Sequence, residues 1–135
     1  MILSDIRKRR QRKMTRKIYN CEHGCAVEST LQMISGRWKS VILYHLMFDG
    51  SLRYNELQKL IPGITRRMVS LQLKDLEKDG LIYRKVVQEK PLQVVYGMTD
   101  YGYSLKEIIE LLYRWGEDFN HKNAGLLEEE CLTCN

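Results

Sequence analysis

The run Gly63-Ile64-Thr65-Arg66-Arg67-Met68-Val69-Ser70-Leu71-Gln72-Leu73-Lys74-Asp75-Leu76-Glu77-Lys78-Asp79-Gly80 decides how this chain folds. Val69, Leu73 and Leu76 recur at i, i+4 and i+7, which puts them on one face of a helix, with Met68 at its margin. Arg67, Ser70, Leu71 and Lys74 recur at i, i+3, i+4 and i+7 on the other face. Thr65 stands where a helix N-cap belongs, and Gly80 where a helix stops. The expected element is a helix with an apolar side and a cationic side.

Working backwards, Pro62-Gly63 breaks an earlier helix expected from Arg53 to Leu60, with Leu57, Leu60 and Ile61 inward. Before it, Trp38, Val41, Ile42, Leu46 and Met47 mark a helix closed by Asp49-Gly50. Val27, Leu31 and Ile34 mark another that ends near Gly36. Working forwards, residues 81–87 and 93–98 are rich in Val, Ile and Tyr and read as strands. Gln88-Glu89-Lys90-Pro91-Leu92 is the loop between them. Thr99-Asp100 then caps a last helix whose broad stripe is Leu105, Ile108, Ile109, Leu112, Trp115 and Phe119, widened by Leu111. Two helices across a tight turn, then a hairpin, is the order of a winged helix-turn-helix. The fold expected is therefore mainly α with a small β-hairpin (α+β), and a C-terminal dimerisation helix. The expected divisions are a basic arm over 1–20, the winged domain over 21–119 and a tail over 120–135.

The 135 residues carry a formal charge of +5, unevenly spread. The first seventeen hold eight basic residues (Arg7, Lys8, Arg9, Arg10, Arg12, Lys13, Arg16, Lys17) against Asp5, a local +7. Residues 51–90 hold nine basic and five acidic side chains, a local +4. The rest is acidic on balance, so the basic surface lies in the arm and in the helix-plus-hairpin region. That is an electrostatic footprint suited to phosphate. Within it, Thr65, Arg66, Arg67, Ser70 and Lys74 are the expected DNA contacts on the helix. Arginine near its start suits guanine in the major groove, and Thr65, Ser70 and Lys74 suit phosphate or thymine. Lys85 and Lys90 are expected to reach DNA from the hairpin, and Arg53 from the start of the preceding helix. Arg37 and Lys39 beside Trp38 are further phosphate candidates. No run approaches the roughly 18–20 apolar residues of a membrane span. Met14 is a plausible true start, and the expected location is cytoplasmic.

Four cysteines form two close pairs, Cys21 with Cys25 and Cys131 with Cys134. Without a secretion signal their thiols are expected to be reduced, and structural disulfides are not expected. Three readings stand side by side. Cys25, just before a helix, is placed to be a reactive thiolate that Cys131 or Cys134 resolves. The pairs, with His23 to spare, have the internal spacing of a zinc site. Or the cysteines are inert. Catalytic patterns are poor: there is no Gly-rich phosphate loop and no HExxH, and His23, His45 and His121 are scattered. No enzyme and no cofactor is expected.

The set Cys25-Ala26-Val27-Glu28, Ile34-Ser35-Gly36-Arg37-Trp38-Lys39, Leu52-Arg53-Tyr54-Asn55-Glu56-Leu57, Ile61-Pro62-Gly63-Ile64-Thr65-Arg66-Arg67-Met68, Leu76-Glu77-Lys78-Asp79-Gly80-Leu81 and Tyr96-Gly97-Met98-Thr99-Asp100-Tyr101-Gly102 resembles the HxlR family of bacterial transcription regulators, relatives of the MarR group. The resemblance covers about residues 20–119. It implies a homodimer that binds double-stranded DNA at a near-palindromic operator, its two reading helices about 34 Å apart. Some members respond to electrophiles, aldehydes or oxidants through the cysteine that opens the first helix, which here is Cys25. Ala26 and Asp100 stand where the family often has proline. The alternatives carried forward are a zinc-stabilised protein-interaction module and a DNA-binding regulator that answers a small ligand without a thiol switch. A thiol enzyme ranks below both.

Overall fold

The computed structural model describes Arg16 and residues 25–127. The chain divides into two compact units, residues 1–104 and 105–135. In the first, α1 (Cys25–Ile34) and α2 (Lys39–Phe48) lead to a two-residue strand β1 (Leu52–Arg53). Then come α3 (Tyr54–Leu60), α4 (Arg66–Lys78), β2 (Ile82–Glu89), β3 (Leu92–Met98) and one short turn of helix, α5 (Asp100–Tyr103). The second unit holds α6 (Lys106–Lys122) and α7 (Ala124–Leu127).

Val69, Leu73 and Leu76 of α4 are buried as their spacing requires, and they join Ile42, Leu43 and Leu46 of α2, Leu57 of α3, and Leu81 and Ile82 in the core. Each such side chain withdrawn from water contributes roughly 1.5–3 kcal/mol. Gly80, at φ +78°, ends α4 in the left-handed region, and the Leu81 amide then bonds back to the Leu76 carbonyl at 3.0 Å. That is the return bond of a Schellman-type stop. It turns the chain straight into β2.

The hairpin is part of a three-stranded antiparallel sheet in the order β1-β3-β2. β1, whose second residue Arg53 was expected to open α3, pairs Leu52 with Tyr96 and Arg53 with Val95. Two residues are too few to show an alternation. Helix α3 therefore begins at Tyr54, with Arg53 in extended backbone before it. The strands of the hairpin run further than expected and leave only Lys90-Pro91 as the turn, joined by a cis peptide bond. The register slips between Val86 and Gln88, so Val87 is an extra residue in β2. Only Ile82 of β2 is buried, and the ribbon beyond it projects as a wing. At its base Gly97 faces Tyr83, where a Cβ would fall 2.4 Å from the ring. The Tyr83 hydroxyl also pairs with Ser51 Oγ at 2.9 Å.

Three further expectations are corrected. Val27 and Leu31 do not face the core: they are 60% and 49% exposed, and α1 buries Cys25 and Ile34 instead. Leu60 is exposed, because in so short a helix Leu57 and Ile61 already fill the inward face. The single last helix is two, since Ser104 and Leu105 separate α5 from α6. Thr99 caps only the first of these, accepting from the Gly102 amide at 3.0 Å.

Two ion pairs hold α4 from outside its apolar face. Lys39, buried at the start of α2, lies 3.4 Å from Asp75. Arg16 donates through Nε and Nη2 to the carboxylate of Asp79, the C-cap of α4, at 2.9–3.2 Å. The Asp79 side chain is only 2% exposed. Those hydrogen bonds push the Arg16 pKa up against the opposing effect of partial burial. Arg16→Ala strands a buried carboxylate. It should cost about 2–3 kcal/mol of stability in urea unfolding followed by circular dichroism, with Arg16→Lys recovering part of the loss. An unchanged unfolding midpoint would mean that water replaces the guanidinium at no cost.

Candidate nucleic-acid interface

The outward face of α4 is built from its first turn. Thr65, in extended backbone, accepts a hydrogen bond from the Met68 amide at 3.1 Å, so the helix starts where the sequence places it. Arg66, Arg67, Leu71 and Lys74 are exposed, as is Thr65 itself. Ser70 is not open in the same way. It is half-buried, and its hydroxyl pairs with the Tyr54 hydroxyl at 3.1 Å. Tyr54 also donates to the Arg66 carbonyl, so the first turn of α3 is fastened to the first turns of α4. Gln72 turns sideways and donates to Met68 Sδ at 3.4 Å.

Around this face stand the other expected cations. Arg53, before α3, is exposed, with Glu56 Oε1 at 3.8 Å from its Nε. Lys85 and Lys90 are exposed on the wing, as is Arg84, which the sequence reading did not single out. Gln88 Nε2 bonds to the Lys90 carbonyl at 2.9 Å and braces the tip. Lys39 is no longer a phosphate candidate, because it is buried and engaged by Asp75. Tyr54, Asp75 and Asp79 were also missed. Each acts through a partner distant in sequence, and no local pattern marks such a pairing.

Cys25 opens α1, is 3% exposed and is disulfide-bonded. A disulfide was not expected from the sequence, and Cys25 stands in one. Cys21, His23, Cys131 and Cys134 lie outside the described residues. Among the described residues, no three His, Cys, Asp or Glu side chains gather as a metal set. No described helix is long and apolar enough to cross a membrane. In the second unit Ile109 is buried and Leu105 half-buried. Ile108, Leu111, Leu112, Trp115 and Phe119 are exposed, and Trp115 and Phe119 stack with ring centroids 5.6 Å apart.

A capped helix with a cationic outer face, a second helix fastened across its start and a projecting β-ribbon define a winged helix-turn-helix DNA-binding protein. The HxlR-like helix-turn-helix family model matches residues 33–124, and the chain belongs to this family of transcriptional regulators. It is 46% identical over 99 residues to the HTH-type transcriptional regulator YdeP of Bacillus subtilis (strain 168), covering 73% of this chain and 77% of that one. Among solved structures, the redox regulator HypR in its oxidized form superposes with a TM-score of 0.66 at 42% identity, covering 70% of this chain and 96% of that one. The reduced form of the transcriptional regulator YodB from B. subtilis gives 0.61 at 31% identity, covering 74% and 94%. These relatives are regulators, not enzymes.

Arg67→Ala should weaken binding to the protein's own upstream DNA and relax preference at one base pair by about 1–3 kcal/mol. Fluorescence anisotropy on duplexes varied one base pair at a time reads this. Loss spread evenly over all sequences would place Arg67 on phosphate instead.

Proposed function

We propose that the chain is a homodimeric, sequence-specific transcriptional regulator that binds a near-palindromic operator and responds to oxidants or electrophiles through Cys25. The DNA-reading assignment rests on one observation: the exposed face of α4 carries Arg66, Arg67 and Lys74 while its opposite face is locked into the core. Arg66 and Arg67 serve base edges, Thr65 and Lys74 serve phosphate or thymine, and Arg53 serves phosphate, while Ser70, engaged by Tyr54, holds the helix in place. Lys85 and Lys90 reach the flanking backbone from the wing.

Dimerisation is supported by Ile108, Leu111, Leu112, Trp115 and Phe119. Trp115 alone is 70% exposed, an unusual amount of apolar surface for one helix to leave in water. Val27 and Leu31 add an open apolar strip on α1. A second copy of the chain is the partner that covers such faces in a two-fold assembly.

The sensing role is supported by the position of Cys25. It is the first residue of α1, and it stands in a disulfide. HypR, at 42% identity, is a redox regulator. In this reading Cys131 or Cys134 of the partner subunit is the resolving thiol. Formation of the disulfide removes two electrons and two protons from the thiol pair, and a diamide-type oxidant takes them up. The change in covalent restraint at α1 then alters the spacing of the two reading helices.

Cys25→Ser should keep its affinity for upstream DNA and lose the response to diamide. If Cys25→Ser still responds as the unaltered protein does, the thiol reading is wrong, and a ligand-responsive regulator takes its place. Trp115→Asp should shift sedimentation from dimer towards monomer and weaken operator binding with it. A Trp115→Asp protein that remains a dimer places the interface elsewhere.

A further inference from the structure

We propose that Arg37 is a DNA phosphate contact, on the strand opposite the one met at Arg53. The proposal rests on the reading of α4 as the DNA-reading helix. Helix α4 is gripped on two flanks. On one, Tyr54 at the start of α3 reaches Ser70. On the other, Lys39 at the start of α2 reaches Asp75. Ser70 and Asp75 are five residues apart, which at about 100° per residue sets them about 140° apart around the helix. Arg67, Leu71 and Lys74 fall inside that arc. The starts of α3 and α2 therefore stand on either side of the exposed cationic face. A helix lying in the major groove has one phosphate chain on each side of it. Each flank carries an exposed arginine at the matching place: Arg53 just before α3, and Arg37 two residues before α2.

Arg37 is also held in position. Its Cζ lies 4.4 Å from the centre of the Trp38 ring. The indole in turn reaches the turn that leads into α4: a Cβ on Gly63 would sit 3.9 Å from Trp38 Cη2. A guanidinium stacked on an indole keeps its N–H edge for an anionic oxygen, and stacking limits the rotamer freedom lost when it binds. Lys39 cannot take this role, being buried against Asp75. Arg37 is thus a fixed cation beside the reading helix, with no carboxylate among the ion pairs of the described residues assigned to it.

The test is a salt titration by fluorescence anisotropy. The full-length protein and Arg37→Ala, Arg37→Lys, Arg53→Ala and the double variant Arg37→Ala/Arg53→Ala are titrated on the protein's own upstream DNA and on a random duplex of equal length. Arg37→Ala should weaken both duplexes roughly five- to tenfold at 0.1 M salt and lower the slope of log K against log salt by about 0.9. Base preference should not move, Arg37→Lys should restore the slope, and the double variant should lose about 1.8. Arg37→Gln, checked by circular dichroism, separates loss of charge from loss of fold. An Arg37→Ala or folded Arg37→Gln protein with unchanged slope overturns the proposal. So does a loss confined to the upstream DNA, which would mean that Arg37 orients α4 rather than touching phosphate. If the unaltered protein binds neither duplex, the DNA-reading assignment itself fails, and that outcome is distinct from the first two.

Discussion

Helix α4 can bury only one side, and the rest of the structure depends on that constraint. Val69, Leu73 and Leu76 take the whole inward face, so Arg66, Arg67, Leu71 and Lys74 have nowhere to go but outward. Three polar attachments then fix the helix about its own axis: Tyr54 near its start, Lys39 on its third turn and Arg16 at its C-cap. An apolar stripe tolerates some rotation, because it is wide and its contacts are non-directional. Hydrogen bonds and buried ion pairs do not, because their energy falls steeply with distance and angle. The core supplies most of the stability, and the attachments decide which residues face outward.

How much of this was legible in the sequence follows from the range of each interaction. The span, the cap and both faces of α4 could be read because they are set by neighbours within about two helical turns. The hairpin could be read from β-branched runs and a proline-bearing turn. Strand β1 could not, since Leu52-Arg53 is a strand only because Tyr96 and Val95 lie opposite it. The break between α5 and α6 was hidden because the stripe from Leu105 to Phe119 keeps helical spacing on its own, and nothing in it records that Asp100–Tyr103 is a separate turn. Val27 and Leu31 misled for a different reason. A helical apolar stripe shows that some surface covers it, not that the surface belongs to the same unit or even the same chain.

The site shows the same division. Arg66, Arg67, Lys74, Lys85 and Lys90 are exposed cations whose place follows from local pattern. Ser70 and Lys39 looked equivalent to them and are not, because each is engaged by a residue from another helix. Tyr54 and Asp75, the partners responsible, carry no mark in the sequence that sets them apart from any exposed polar residue. Cys25 was legible as the opening residue of α1, but its disulfide was not, since a disulfide needs a second sulfur that the fold brings within bonding distance.

The acidic residues of α4 show why these pairings matter for a helix meant to approach DNA. Arg66, Arg67, Lys74 and Lys78 share the helix with Asp75 and Glu77, and Asp79 closes it. Unpaired, three carboxylates on or beside a thirteen-residue helix would repel the phosphates that its arginines attract. Asp75 is engaged by Lys39 and Asp79 by Arg16, so two of the three are neutralised from within the protein. The cations that do this come from the start of α2 and from the segment before α1, not from the cationic face itself. Asp75 and Asp79 therefore do not draw on the cations of that face. Asp79 can then serve as the buried C-cap that stops the helix at Gly80 and launches the wing. One pair of contacts thus helps fix the rotation of the helix and offsets part of its negative charge. A change at Arg16 or Lys39 should for that reason be felt in DNA binding, although each side chain is engaged by a carboxylate of the helix and not by its cationic face.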